Sequence, residues 1–267
     1  MLMAKATGCF KRKDYATAVE YLDTILVSDP KNQFAISKII QCFSRMRRID
    51  YAEEEYRGAL KHGVANIFIH NSMLDAYAKA GKLKEAESVY IQLGSQANTV
   101  SHRAMAYGYY NNSRYDEALD FIETLPVDAR DSLPLQLVRF DVLRKMGRRD
   151  EALVGLNALL LRLPVDYSNA DYVLARTLRA YVLKDTGQSD LAHASFRQLY
   201  SSVSSQSEHY ARIICGLVFS SDTRSLSSSE QTEIQSYLKN LLESNNLNEG
   251  LKFDTVTALR KLGKSKD

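Results

Sequence analysis

Apolar residues recur along most of this chain with the spacing of amphipathic α-helices, and the pattern is clearest between Asn66 and Gly94. This stretch has two apolar faces of helical spacing, formed by Met73, Leu74 and Tyr77, and by Leu83, Ala86, Tyr90 and Leu93. Gly81 separates the two faces, and glycine readily adopts the left-handed conformation that ends a helix. The stretch therefore predicts two short helices joined by a turn.

The same pattern repeats along the chain, and one small residue marks each repeat. This residue is an alanine in six repeats: Ala18, Ala52, Ala86, Ala118, Ala152 and Ala192. Four residues later lies a large residue: Leu22, Tyr56, Tyr90, Ile122, Leu156 and Phe196. Five residues earlier lies the predicted turn: Lys13, Arg47, Gly81, Ser113, Gly147 and Gly187. We expect each alanine to be buried where the two helices cross, because a small side chain lets their backbones approach.

The ends of the repeats carry further helix signals. Pro30, Pro126 and Pro164 close three of the repeats, since proline cannot continue a helix. The sixth repeat is longer at its start, which predicts an extended first helix that begins after Ser168 or Asn169. After Tyr200 the repeat register fades. Beyond it, we predict a helix over residues 208–219 and a loop over residues 221–230. The capping-box pair Ser227 and Glu230 predicts the start of a helix that runs to Glu243, and a last helix is predicted over residues 248–262.

The period of the repeat and its content resemble the tetratricopeptide repeat. The resemblance is carried by FKRKDYATAVEYLDTILVSDPKN in the first repeat and KMGRRDEALVGLNALLLRLPVD in the fifth, although the family's opening Trp is absent. It covers roughly Ala4 to Tyr200 and implies an all-α fold, a right-handed α-solenoid of about six stacked helix–turn–helix repeats with C-terminal capping helices. We therefore expect the repeat array in residues 1–200, and an atypical last repeat with capping helices in residues 201–267.

Residues Asn66 to Pro126 are also similar to the pentatricopeptide repeat, a sister family. The segments HNSMLDAYAKAGKLKEAESVY and NTVSHRAMAYGYYNNSRYDEALDFIETLP carry this similarity. Such arrays bind single-stranded RNA, one base per repeat, through a polar residue early in the first helix and another at the end of the repeat. Asn71 matches the first position and Asn98 lies near the second, whereas Arg103 replaces a small polar residue in the next repeat. Because one matching repeat is too few for sequence-specific binding, RNA binding is the alternative hypothesis.

In tetratricopeptide arrays the first helices line a concave groove that binds extended or helical peptides. The matching groove positions are Gln41, Arg45, Asn71, Asp75, Lys79, Arg103, Tyr107, Tyr110, Asp141, Arg144, Lys145 and Tyr181, with Ser37, Thr177 and Lys184 beside them. Donors, cations and Tyr rings suit a protein-binding surface. The Lys, Asn, Asn, Lys, Arg set of the family's carboxylate clamp is not found. We therefore predict that another protein, as a peptide or an amphipathic helix, binds in this groove. A scaffold that acts through self-association is a further alternative.

Charge changes this picture little. The net charge is only +3, and basic residues at the ends of first helices, such as Arg47 and Arg148, are followed by acidic ones, such as Asp50 and Glu151. Cations at helix C-termini and anions at N-termini complement the helix dipoles. This arrangement is favoured over a nucleic-acid-binding stripe, which the neutral residues Asn111 to Ser113 would interrupt.

The sequence carries no pattern that indicates catalysis, a metal site or a cofactor. None of its five His lies at metal-ligand spacing, and His70 and His102 occupy the same position in consecutive repeats. No nucleophile elbow, phosphate-binding glycine loop or zinc-protease motif is present. Three distant Cys and the lack of a long apolar run lead us to expect an intracellular protein of a reducing compartment, cytoplasmic or other, without membrane insertion.

Overall fold

The computed structural model describes residues 1–220, 226–243, 247 and 249–263, and the regular elements in these ranges are helices. The predicted all-α class is therefore confirmed. The chain forms two compact units, Met1–Val138 and Arg139–Asp267. The expectation that the regular repeats end at residue 200, and that an atypical repeat and capping helices follow, stays a prediction.

The first unit contains four helix pairs and one short helix. Its helices are α1 (Leu2–Lys11), α2 (Tyr15–Ser28), α3 (Gln33–Arg45), α4 (Ile49–Lys61), α5 (Ile67–Ala80), α6 (Leu83–Leu93), α7 (Thr99–Asn111), α8 (Tyr115–Thr124) and α9 (Val127–Arg130). Helix α10 (Leu133–Lys145) begins in this unit and ends in the second. Within the unit, α3 packs against α5 and α5 against α7, so the first helices of consecutive repeats are neighbours.

The described residues of the second unit form the end of α10 and six further helices. They are α11 (Arg149–Arg162), α12 (Ala170–Asp185), α13 (Ser189–Ser202), α14 (Tyr210–Ser220), α15 (Ser228–Glu243) and α16 (Glu249–Gly263). The extended first helix of the sixth repeat is confirmed, because the Asn169 side chain accepts a hydrogen bond from the Tyr172 amide at 3.0 Å and starts α12. The capping box is confirmed by reciprocal hydrogen bonds between Ser227 and Glu230. Of the other predicted segments, residues 221–225 and Asn248 lie outside the described ranges.

The helix crossings lie where the sequence predicts them. All six repeat alanines are fully buried, at 0% exposure. Among the large residues four positions later, Leu22, Ile122, Leu156 and Phe196 are also fully buried, and Tyr56 is 5% exposed. Tyr90 is partly buried, so the small and the large residue are both buried in five of the six helix pairs.

The turns between paired helices share one backbone conformation. All six predicted turn residues have a positive φ: 65° at Lys13, 58° at Arg47, 73° at Gly81, 58° at Ser113, 81° at Gly147 and 80° at Gly187. Three of the six are not glycine, and a side chain in the left-handed region costs about 1–2 kcal/mol. Each turn therefore reverses the chain in the same way whether or not glycine is available.

A tyrosine and a histidine connect consecutive repeats of the first unit. The Tyr56 hydroxyl on α4 lies 2.7 Å from Nδ1 of His70 on α5. The Tyr90 hydroxyl on α6 lies 2.7 Å from Nδ1 of His102 on α7. The shared position of His70 and His102 in the sequence therefore reflects a structural contact between repeats.

Candidate functional site

The candidate site in the first unit is the surface formed by the exposed side chains of α3, α5 and α7, which we call the first-helix face. Its predicted members are Gln41, Arg45, Asp75, Lys79, Arg103, Tyr107 and Tyr110. Arg45, Lys79 and Arg103 are exposed, and the other four are half-buried. Because these three helices pack side by side, the structure brings the seven residues onto one face of the unit.

Several members of this face are held in place by neighbours. The Gln41 side chain donates to Ser72 Oγ at 2.9 Å and accepts from Lys38 Nζ at 3.0 Å. Lys79 forms an ion pair with Asp75 one turn earlier on α5. Such contacts fix side-chain positions before any partner arrives, which lowers the entropic cost of binding.

Helix α7 provides an aromatic cluster. The rings of Tyr107 and Tyr110 meet edge to face with centroids 6.1 Å apart, and Tyr110 contacts Tyr115 in the same manner at 5.6 Å. Arg103 lies one turn before Tyr107 on the same helix and is exposed. The helix thus carries a planar cation one turn before its aromatic rings, and both kinds of side chain contribute strongly to protein interfaces.

Asn71, by contrast, is buried between α5 and α7, with 8% of its surface exposed. Its Oδ1 accepts a hydrogen bond from Ser101 Oγ at 2.6 Å, and its Nδ2 lies 3.5 Å from Asn98 Oδ1. The two residues that match the RNA-reading positions therefore do lie side by side. However, the Asn71 amide is engaged within the chain and joins two first helices.

The predicted groove residues of the second unit belong to a charged network. Asp141 is 4% exposed and accepts from Nε and Nη2 of Arg144 at 3.0 and 2.8 Å. Arg144 Nη1 donates to Asp185 Oδ2 at 3.1 Å, and Arg212 Nη2 donates to Asp141 Oδ2 at 3.4 Å. The network thereby ties α10 to α12 and α14, and it satisfies a carboxylate that burial would otherwise destabilise.

Tyr181 contacts two arginines of this network. Its hydroxyl donates to the Arg212 carbonyl oxygen at 2.7 Å, and the Arg144 guanidinium lies 5.5 Å from its ring centroid. Burial raises the pKa of Tyr181 well above its usual range. Lys145 remains exposed at the end of α10. Asp141 and Tyr181 are thus packed inside the second unit, whereas Lys145 reaches solvent.

Sequence reasoning missed an apolar row in the first unit. Phe34, Phe68 and Val100 lie three residues before Ser37, Asn71 and Arg103 respectively, so they are in repeat register. Their exposed fractions are 54%, 66% and 49%. These three residues are 34 and 32 positions apart, which is the period of the repeat, and this spacing would have identified the row. The pattern of polar and apolar residues alone did not predict that they lie on a surface.

The basic turns largely pair with nearby acidic residues. Lys82 Nζ lies 2.6 Å from Glu53 Oε1, and Arg114 and Arg148 pair with Glu117 and Glu151 at 2.8 and 2.5 Å. Glu117 and Glu151 lie in the first turns of α8 and α11, as the dipole interpretation expects, whereas the paired cations Lys82, Arg114 and Arg148 directly precede second helices.

The described residues include further His, Cys and carboxylate side chains. Within them, no group of three or more His, Cys, Asp or Glu is arranged to hold a metal ion. Cys9, Cys42 and Cys215 are buried thiols, and burial raises the pKa of Cys42 to about 11. In the same ranges, no helix combines the length and the apolar character needed to cross a bilayer.

Residues 68–95 match the family model of the PPR repeat. Two curated proteins of Arabidopsis thaliana are similar. A putative pentatricopeptide repeat-containing protein is 26% identical over 107 residues, and a second pentatricopeptide repeat-containing protein is 39% identical over 61 residues. These matches cover 39% and 23% of this chain, but only 15% and 11% of the relatives.

A solved structure matches nearly the whole chain. It is the crystal structure of a tetratricopeptide repeat protein from Parabacteroides merdae, with 18% sequence identity and a TM-score of 0.65. The match covers 98% of this chain and 97% of that one. At this identity the likeness concerns the fold, which is that of a helical-repeat solenoid.

Proposed function

We propose that this chain, whose fold is that of a helical-repeat solenoid and whose residues 68–95 match the PPR model, binds another protein without catalysing a reaction. The binding surface in this proposal is the first-helix face of the first unit, with Arg45, Arg103, Tyr107 and Tyr110 as the contacting residues. The observation that carries the proposal is the edge-to-face Tyr107–Tyr110 pair on α7, with the exposed cation Arg103 one turn earlier on the same helix.

The chemistry of this face suggests the kind of partner. Tyrosine supplies large contact area at low entropic cost, and arginine supplies a planar fork for carboxylates. A peptide segment or an amphipathic helix with acidic and apolar residues would complement both. Asn71 acts in this proposal as a support, because it is buried and hydrogen-bonded to Ser101 of the next first helix. Asp141 and Tyr181 are packed inside the second unit and form no part of the proposed surface.

The test is capture of partners from a native lysate of the source organism, with and without nuclease. A double variant, Arg103→Ala with Tyr107→Ala, should lose the captured protein and keep its melting temperature nearly unchanged. The matched control is Arg57→Ala with Tyr51→Ala, which removes one Arg and one exposed Tyr from the second helix α4. This control should retain the partner. If the first variant stays folded and binds fully, the proposal is rejected, and the helices after Ser227 are the next surface to test. If it unfolds, these residues are structural.

Single-stranded RNA is the second candidate, and a different observation favours it. Phe34 and Phe68 are exposed rings in repeat register, beside the N-termini of α3 and α5, and the PPR model matches the repeat that contains Phe68. Exposed aromatic rings stack on bases, and helix N-termini attract phosphates.

Fluorescence anisotropy with labelled single-stranded RNA separates the two candidates. If the chain binds protein, its affinity for RNA should be weak and fall steeply with salt. Tight, sequence-selective binding at physiological salt that is lost in Phe68→Ala and in Asn71→Ala would establish RNA as the ligand and reject the protein-binding proposal. Phe253→Ala is the matched control, since Phe253 is 71% exposed and lies on α16 of the second unit.

A further inference from the structure

Helix α11 of the second unit has an apolar stripe on the side that faces away from its core. Ala152, Leu156 and Leu159 are buried on the inner side. On the outer side, Val154 is 70% and Leu161 88% exposed, and Ala158 lies between them, also exposed. Three residues at helical spacing thus present an apolar surface to solvent.

The other second helices do not have this stripe. Val154 lies two residues after the crossing alanine, and the residues at that position elsewhere are Glu20, Glu54, Ser88, Asp120 and Ala194, all of them exposed. The outward position is therefore polar or small in every other repeat, and α11 alone places a large apolar residue there. Contiguous exposed apolar residues rimmed by polar ones are typical of interaction surfaces.

The charges at the two ends of the stripe are opposite. Glu151 precedes it and Arg162 follows it, and at about 3.6 residues per turn an interval of 11 residues places both on the same flank of the helix. Glu151 accepts from Arg148 and Arg139, yet 41% of its side chain is exposed. Within the described part of the chain, Arg162 has no ion-pair partner.

We propose that this stripe binds a second copy of the chain, with the two α11 helices antiparallel about a two-fold axis. In this arrangement Val154 of each copy packs against Leu161 of the other, and Glu151 of each copy faces Arg162 of the other. The same surface serves both copies, as a two-fold interface requires. Ala158 lies close to the axis, where a small side chain allows the helices to approach.

The first test is the oligomeric state over a range of concentrations. One helix pair buries less area than most stable interfaces, so dimers should form at about 10–100 μM in sedimentation equilibrium. Leu161→Glu should weaken dimerisation at least about tenfold, because it buries a charge in the interface. Ile91→Glu is the control: Ile91 is 76% exposed on the second helix α6 of the first unit, and its replacement should leave the dimer intact. A wild-type chain that stays monomeric to about 1 mM, or a Leu161→Glu variant that dimerises fully, overturns the proposal.

The second test fixes the geometry. The three native Cys are buried, so one introduced surface thiol dominates mild oxidation. Ala158→Cys should form a disulfide-linked dimer, because residues at a two-fold axis can approach within the roughly 4.4–6.8 Å that a disulfide spans between Cα atoms. Val27→Cys, at an 86% exposed position on α2, should crosslink many-fold less. Equal crosslinking of the two variants, or none in Ala158→Cys, rejects the antiparallel α11 pair.

Discussion

The hydroxyl of Tyr90 lies 2.7 Å from Nδ1 of His102, and this contact spans the junction between two repeats. A neutral imidazole can accept a hydrogen bond at Nδ1, whereas an imidazolium cannot. Burial lowers the pKa of His102, and it lowers the pKa of His70 in the equivalent contact with Tyr56. The folded protein therefore favours the neutral form of both histidines.

This preference predicts a pH dependence of stability. A histidine whose pKa is lower in the folded state contributes stability that is complete above its unfolded pKa of about 6.5 and is lost as pH falls through that value towards the folded pKa. The double variant His70→Gln with His102→Gln should lose less free energy of unfolding between about pH 7.5 and pH 5.5 than the wild type does. Urea titrations at the two pH values measure this difference. The exposed His62 provides the control, since His62→Gln should keep the wild-type dependence.

The crossing alanines predict a steric effect. Ala86 is fully buried, and Ala86→Leu should lower the free energy of unfolding by about 1–3 kcal/mol because the extra atoms overpack the crossing. Ala16→Leu, on the exposed side of α2, should change stability little. An unchanged melting temperature for Ala86→Leu would contradict the burial of this position.

The left-handed turns predict two substitutions of opposite sign. Ser113 has φ of 58°, and Ser113→Gly should raise stability by up to about 1 kcal/mol, since the relief of strain exceeds the entropic cost of glycine. Gly147 has φ of 81°, and a Cβ there would meet no atom within 4 Å. Gly147→Ala should therefore lower stability by up to about 1 kcal/mol, since the backbone strain exceeds the entropic gain from the loss of glycine. Chemical denaturation of both variants tests the pair, and destabilisation by Ser113→Gly would refute the strain argument.

The charged network of the second unit predicts a large effect from one arginine. Arg144→Met removes two hydrogen bonds, of 3.0 and 2.8 Å, from the buried Asp141, and it should cost about 3 kcal/mol or more. Arg148→Met removes an exposed ion pair with Glu151 and should cost about 0–1 kcal/mol. Similar losses in the two variants, measured by urea unfolding, would show that burial does not set the strength of the network.

The sequence was sufficient for features that depend on one repeat at a time. The burial of Ala86 and the turn at Ser113 follow from spacing, because each concerns the two helices of one pair. The sequence did not foresee the burial of Asp141, since that depends on Arg212 of α14, 71 residues later. The sequence pattern likewise predicts Asn71 on a surface, because its burial depends on a residue of another repeat. That residue is Ser101 on the next first helix, which donates a hydrogen bond to Asn71.

The Tyr–His contact also bears on how such a chain could lengthen. A tyrosine of one repeat meets a histidine of the next at two successive junctions, with the same atoms and the same separation. A tandem duplication of the segment from Asn66 to Ala97 would place Tyr90 of the first copy before His70 of the second, which is the pairing that His102 now completes. One gene-level event would thus supply both halves of a new junction, and the array could gain a whole repeat without any compensating substitution at that contact.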